Sequence, residues 1–267
     1  MTHLALSDGG RLHYEVAGSG PPLLLVPGLG GRAEFWQPLV PALAERFTVI
    51  LHDHRGTGRS SIERIAYSIA QMSGDVIALL DHLGFARAHL VGHSTGGAIG
   101  QTLAIDRPER IGKLVLSATW AAADPYFRHL FSLRADILRH AGRSMYLRAG
   151  ALVLYPPWWL RDHPELAEVS EEAAAGQIPD ADVVLARIAA IMRHDRAADL
   201  HRITAPTLVI GARDDMVTPG YFSEELGRKI GGAQLVMLPD GGHFFPVTRS
   251  GHFITAVLSF LEGEPGA

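Results

Sequence analysis

Short runs of consecutive apolar residues alternate along the chain with longer stretches whose apolar positions recur at helical spacing. Residues 23–26 are continuously apolar and end at Pro27-Gly28. Residues 33–46 have helical spacing and 47–51 are rich in β-favouring side chains. Residues 67–83 place Ile69, Met72, Val76, Leu79, Leu80 and Leu83 on one helix face. A strand is predicted at 88–92, a helix at 95–106 stopped by Pro108, and a strand at 113–118. The rhythm returns with a strand at 207–210 after Pro206, a helix at 221–230, a strand at 234–238 and a final helix at 253–261. Strands that are apolar throughout, rather than alternating, are buried on both faces. Strands alternating with helices predict an α/β fold, with a mostly parallel central sheet flanked by helices.

Between Trp120 and Leu200 the rhythm breaks. This stretch is rich in helical spacing, lacks a convincing strand, and contains the proline-stiffened aromatic run Tyr155-Pro156-Pro157-Trp158-Trp159. It reads as a helical cap or lid, residues 121–200, inserted into one core made of residues 1–120 and 201–267. The last residues, 263–267, are expected to fray.

Composition narrows the class. Of 267 residues, 47% are hydrophobic and 19% charged, which is ordinary globular usage and excludes a disordered tail or an extended coiled coil. The net charge of −4 offers no basic stripe for phosphates, so nucleic acid is not an expected partner. Cysteine is absent, which excludes disulfides, thiolate nucleophiles and sulfur-ligated metals. Residues 1–11 have neither the basic start nor the apolar core of a signal peptide. The apolar stretches at 23–26 and 151–160 are short or broken by proline, below the roughly 18 residues that a membrane helix needs. The expectation is a soluble cytoplasmic protein with a small-molecule substrate and no membrane partner, for which a homodimer is left open.

The strongest chemical signal is Gly92-His93-Ser94-Thr95-Gly96, a G-x-S-x-G sequence lying after a predicted strand and opening a predicted helix. A serine on so tight a turn takes strained backbone angles, and Gly92, Gly96 and Gly97 supply the room. The helix N-terminus beneath it suits a developing oxyanion. A serine hydroxyl needs a base. Among 14 histidines, His243 hangs from the loop after strand 234–238, at the same carboxyl edge of the sheet. The base needs a carboxylate to orient it. Asp214 and Asp215 both follow strand 207–210; the D-x-x-T-P run from Asp215 to Pro219 favours Asp215, leaving Asp214 as a turn residue. The chain order Ser94, Asp215, His243 is that of α/β-hydrolases. The oxyanion hole is assigned to the backbone N–H groups of Thr95 and of Leu29, the latter within Pro27-Gly28-Leu29-Gly30-Gly31. Trp120, Tyr155, Trp158 and Trp159 are the candidate substrate contacts, although lid core is the favoured reading of the last three.

Two other motifs compete for attention. Gly28-Leu29-Gly30-Gly31-Arg32-Ala33 matches a dinucleotide fingerprint on paper, but the hydrolase reading explains its glycines equally well. His52-Asp53-His54 could suggest a metal, but it lies at a strand end, where a turn with Asp53 and Arg55 pairing locally is the favoured reading. No metal and no cofactor are expected.

Across nearly its whole length the chain resembles the α/β-hydrolase superfamily, through residues 27–31, 53–60, 92–96, 215–219 and 242–243. More narrowly, it is similar to the aminoacrylate (carbamate) hydrolase family of pyrimidine utilisation. That likeness rests on Tyr67-Ser-Ile-Ala-Gln-Met72, Leu154-Tyr-Pro156 with Trp159 nearby, Asp214-Asp215 and Gly241-Gly-His243. The departure is at the elbow: members of that family need not carry serine there. The chain also resembles 3-oxoadipate enol-lactonases, through 79–84 and 215–219. These resemblances imply a cofactor-free serine hydrolase that cleaves a small ester, lactone or amide-like bond through an acyl-enzyme. The alternatives are an aminoacrylate or carbamate hydrolase and a non-catalytic ligand-binding module on the same fold.

Overall fold

A computed structural model describes residues 2–63 and 65–263, so the expectation for the chain end falls, beyond Gly263, outside the described residues. Among the described residues, eight strands form one sheet: β1 (Thr2–Ala5), β2 (Arg11–Ala17), β3 (Pro22–Val26), β4 (Thr48–His52), β5 (Ala88–His93), β6 (Ile111–Ser117), β7 (Thr207–Ala212) and β8 (Gln234–Leu238). Their order is β1-β2-β4-β3-β5-β6-β7-β8. The run from β4 to β8 is parallel, and β1 and β2 are antiparallel additions at one edge.

The parallel strands bury both faces, as their unbroken apolar character requires. Leu24 and Val26 join one buried cluster with Leu90 and Leu116; Leu23 and Leu25 join the opposite cluster with Val91 and Ile210. Helices α2 (Ile69–His82), α3 (Thr95–Asp106) and α8 (Gly220–Lys229) pack into the first cluster. The short α1 (Val40–Ala44) and α10 (Ser250–Glu262) pack into the second; the remaining short helix of this part is α9 (Phe245–Thr248). Each fully buried leucine stabilises the fold by about 1.5–3 kcal/mol.

The structure departs from the sequence pattern in three places. β1 and β2 lie ahead of the first strand that the continuous apolar runs predict. Their signal is an alternating Arg11-Leu12-His13-Tyr14-Glu15 behind an Asp8-Gly9-Gly10 turn, and Leu12 and Tyr14 do face the core. The predicted helix over 33–46 is instead a 3-10 segment, Ala33–Leu39, followed by α1, because Pro38 and Pro41 interrupt the α-helical ladder. Arg55 does not pair with Asp53: it forms a bidentate pair with Asp75 at 3.0 and 2.8 Å and a third bond to Asp8. Asp53 instead accepts from Arg59 and from the backbone N–H of Ala33, tying the turn to the β3 loop.

Between β6 and β7 the chain makes its longest excursion. It contains α4 (Pro125–Leu154), α5 (Pro157–Asp162), α6 (Glu171–Gln177) and α7 (Ala181–Met192). α4 is broken at Gly142, whose φ of 82° is outside the helical range. Where the excursion leaves and returns, an isolated bridge pairs Ala122 with Asp195, and the Arg196 N–H donates to Ala121 at 2.8 Å. Phe127, Phe131, Ile188 and Ile191 belong to the same buried cluster as Leu24 and Leu90. No described helix is long and apolar enough to cross a membrane.

Candidate active site

Four strand ends converge on one rim of the sheet. β5 ends at His93, and the next residue, Ser94, has φ 53° and ψ −115° before α3 begins at Thr95. So strained a conformation persists only when its surroundings over-determine it. Here the Ser94 N–H donates to Ser117 at 2.8 Å, and the Ser94 carbonyl accepts from the Thr119 hydroxyl at 2.8 Å and from Gly97 and Ala98 N–H. The flanking glycines are sterically forced. A Cβ on Gly92 would stand 2.3 Å from the Gly96 carbonyl oxygen, and one on Gly96 would stand 2.1 Å from that of Val26.

The loops after β7 and β8 meet beside this elbow. His243 Nδ1 lies 2.9 Å from Asp215 Oδ2, and both side chains are buried. The D-x-x-T-P segment immobilises that carboxylate: Oδ1 accepts from the Val217 and Thr218 N–H groups at 2.7 and 2.9 Å, and Oδ2 from the Thr218 hydroxyl at 2.8 Å. Burial pushes the Asp215 carboxyl upward. The charge and hydrogen bond of His243, with the Thr218 bonds, outweigh that and hold it below the usual carboxylate range. Asp214 turns the other way and accepts from the Gly241 and Gly242 N–H groups at 3.1 and 2.9 Å. One aspartate therefore grips the histidine ring and its neighbour grips the loop that carries it.

Ser94 Oγ has no hydrogen-bond partner among the described residues, so the serine–histidine link is open in this state. Such links are commonly long in free enzymes and tighten when substrate is bound. The His93 ring stands 4.9 Å from that of His243, stacks on Phe35 at 4.8 Å, and is held by the Ser117 hydroxyl. Burial, reinforced by His243, keeps His93 neutral well below the usual histidine range.

On the far side of the elbow, a Cβ on Gly28 would meet Ser94 Cβ at 3.3 Å, so the β3 loop lies directly against the serine. Among the described residues, neither the Leu29 nor the Thr95 N–H is engaged in a hydrogen bond outside regular secondary structure. The loop is pinned by bonds from the His54 N–H (2.7 Å) and the Thr57 hydroxyl (2.9 Å) to the Gly31 carbonyl.

The four aromatic candidates part company. Tyr155 meets Phe244, next to His243, edge-on at 5.1 Å. Trp120 is fully buried against Phe127 at 4.5 Å, within the core. Trp158 lies under the Arg249 guanidinium at 4.3 Å, and Trp159 stacks on His163 at 4.2 Å. Sequence reasoning missed the contact that seats the excursion on the site: the Phe244 N–H donates to the Leu154 carbonyl at 3.0 Å. It also missed Arg187, a lone cation on the apolar stripe of α7 made by Val183, Val184, Ile188 and Ile191. No group of three or more described His, Asp or Glu side chains could hold a metal ion, the His52-Asp53-His54 turn included.

Comparison with known proteins places the chain in a family. Residues 21–144 match the sequence signature described as the alpha/beta hydrolase fold. A RutD protein of Caulobacter sp. (strain K31), named as a carbamate hydrolase, is 40% identical over 259 residues, covering 95% of this chain and 96% of that protein. The crystal structure of a hydrolase from Pseudomonas aeruginosa PA01 superposes with a TM-score of 0.88 at 35% identity, covering 98% of each chain. The enol-lactonase from Burkholderia xenovorans LB400 superposes with a TM-score of 0.89 at 29% identity, covering 98% of this chain and 100% of that one.

Proposed function

The chain belongs to the alpha/beta hydrolase fold family and shares that family's RutD branch of hydrolases, and on that premise we propose that it acts through a Ser94–His243–Asp215 triad. The observation that carries the reading is the 2.9 Å bond from His243 to a carboxylate fixed by three further donors, on the rim that also presents the strained Ser94. Ser94 Oγ attacks the carbonyl carbon of a small ester, lactone or amide-like substrate while His243 takes the hydroxyl proton. The Leu29 and Thr95 N–H groups receive the oxyanion. His243 then protonates the leaving group, and an acyl-enzyme remains on Ser94. Water attacks that ester, giving its proton to His243, and collapse of the second tetrahedral intermediate returns the proton to Ser94 and frees the acid. Asp215 holds the imidazole in the required tautomer and stabilises its cation. The excursion between β6 and β7 acts as a cap that excludes water and selects the substrate, with Tyr155 the aromatic nearest the base. The proposal extends to a small-molecule substrate met in the cytoplasm.

A second reading, hydrolysis of an aminoacrylate or carbamate, is favoured by the 40% identity to the RutD protein over nearly the whole chain. It is also favoured by the seating of Leu154-Tyr155-Pro156 against the His243 loop.

The deciding experiment is labelling with a fluorophosphonate, followed by peptide mapping. An adduct on Ser94 is expected, and its absence overturns the serine mechanism. A series of p-nitrophenyl esters, lactones and aminoacrylate then separates the substrate readings. Aminoacrylate turnover that survives Ser94→Ala selects the second.

A further inference from the structure

Arg187 sits in the middle of α7, inside the cap, and is only 1% exposed. Its guanidinium crosses from the cap to the two loops beside the serine. Nη1 donates to the Arg55 carbonyl at 2.9 Å; Nη2 donates to the Leu29 carbonyl at 2.9 Å and to His54 Nδ1 at 3.0 Å. All three acceptors are neutral. Burial pulls the guanidinium down to about 10, with Tyr67, Tyr146 and Asp75 opposing, so it stays cationic at neutral pH. A buried cation bonded only to neutral groups is costly to keep. What it supplies is a rigid fork that fixes several acceptors at once, which no other side chain reproduces.

The placement of those acceptors is informative. The β3 loop is held from Gly31 onward by His54, Thr57 and Asp53. The carbonyl of Leu29 has a single hydrogen-bond partner among the described residues, and that partner is Arg187. The contact is close-fitting: a Cβ on Gly31 would stand 2.6 Å from the Thr57 hydroxyl and 2.9 Å from Arg187 Nη2.

We propose that Arg187 is a positioning residue for the oxyanion hole, so that seating of the cap and competence of the Leu29 donor are one event. The inference rests on the serine-hydrolase reading above. It predicts that an uncharged, forkless side chain at 187 leaves the substrate bound but the oxyanion poorly held. A misplacement of this kind costs on the order of 10²-fold in turnover.

The test compares Arg187→Met and Arg187→Lys with Arg193→Gln. Arg193 also bonds across to the core, at the Tyr67 carbonyl, but does not touch the Leu29 loop. For each, kcat and KM on a p-nitrophenyl ester, the rate of fluorophosphonate adduct formation at Ser94, and Tm are measured. Arg187→Met is expected to lose about 10²-fold in kcat with KM within about threefold, and to label more slowly in the same proportion. Arg187→Lys should fall between, and Arg193→Gln should keep wild-type kcat. If Arg187→Met folds and keeps kcat within about threefold, the inference is overturned. It is equally overturned if the loss lies wholly in KM, or if Arg193→Gln loses as much. If Arg187→Met does not fold, Arg187→Lys decides by the same criteria. Failure of the wild-type protein to label at Ser94 removes the serine-hydrolase reading and this inference with it; normal labelling of both Arg187 variants removes the inference alone.

Discussion

The carboxylate of Asp214 lies 2.9 Å from the backbone nitrogen of Gly242, one residue before His243. Its neighbour Asp215 reaches the imidazole itself at the same distance, 2.9 Å. The two aspartates can therefore be told apart by substitution. Asp215→Asn presents the wrong partner to Nδ1 and should cost on the order of 10⁴ in kcat. Asp214→Asn keeps an oxygen acceptor for the loop and should cost far less. Steady-state kinetics of the two variants check this, and the reverse ranking would transfer the acid role to Asp214.

Ser94→Ala should lose on the order of 10⁴–10⁶ in kcat on ester substrates. The backbone bonds at residue 94 are unaffected by the change, so Tm should stay near the wild-type value. Activity assays paired with thermal melts separate loss of the nucleophile from loss of the fold.

Gly96→Ala should abolish the elbow, because the new methyl would stand 2.1 Å from the Val26 carbonyl oxygen, a backbone atom of a central strand. Destabilisation at or beyond the about 1–3 kcal/mol typical of overpacked cores is expected, together with loss of activity. Urea midpoints measure the first. A variant as stable as wild type would contradict the packing described.

Stability should fall as pH drops from the ordinary histidine range towards about 4. Burial holds His52 and His194 at about 4, and His54 and His93 well below the usual 6.5, so the folded state keeps all four neutral. The unfolded chain protonates them first. It therefore binds more protons across this window, and the unfolding free energy rises with pH by about 1.4 kcal/mol per pH unit for each such histidine. Asp215 works in the same direction at lower pH. Its folded value is depressed, so its contribution is present above the ordinary carboxylate value and is lost as pH falls through the folded one. Urea midpoints from pH 4 to 8 test the histidine part. A His194→Gln protein with an unchanged slope would show that residue to be no contributor.

The parallel core was legible because its strands are uniformly apolar and its glycines are punctuation for a strained turn; both are local properties. That Ser94, Asp215 and His243 share one rim was legible because each follows a recognisable strand, and the carboxyl ends of parallel strands lie on the same edge of a sheet. β1 and β2 went unread because a half-exposed hairpin carries the weaker alternating pattern, with Val16 turned to solvent. The Asp53–Arg55 pairing failed because salt-bridge partners are chosen by tertiary placement, and Asp75 on α2 lies nearer in space than in sequence. Arg187 left a readable trace, a cation on an apolar helix face, but its bond to Leu29 joins residues 158 positions apart and has no local signature.

The bridge between Ala122 and Asp195 brings the departure and return of the excursion side by side. A segment stitched at both ends like this behaves as a cassette: evolution, or an engineer, can exchange its contents through two adjacent cut points without re-laying the sheet. The splice is not free of conditions, because a donor cassette must bring its own fork to the Leu29 peptide and its own seat for the histidine loop.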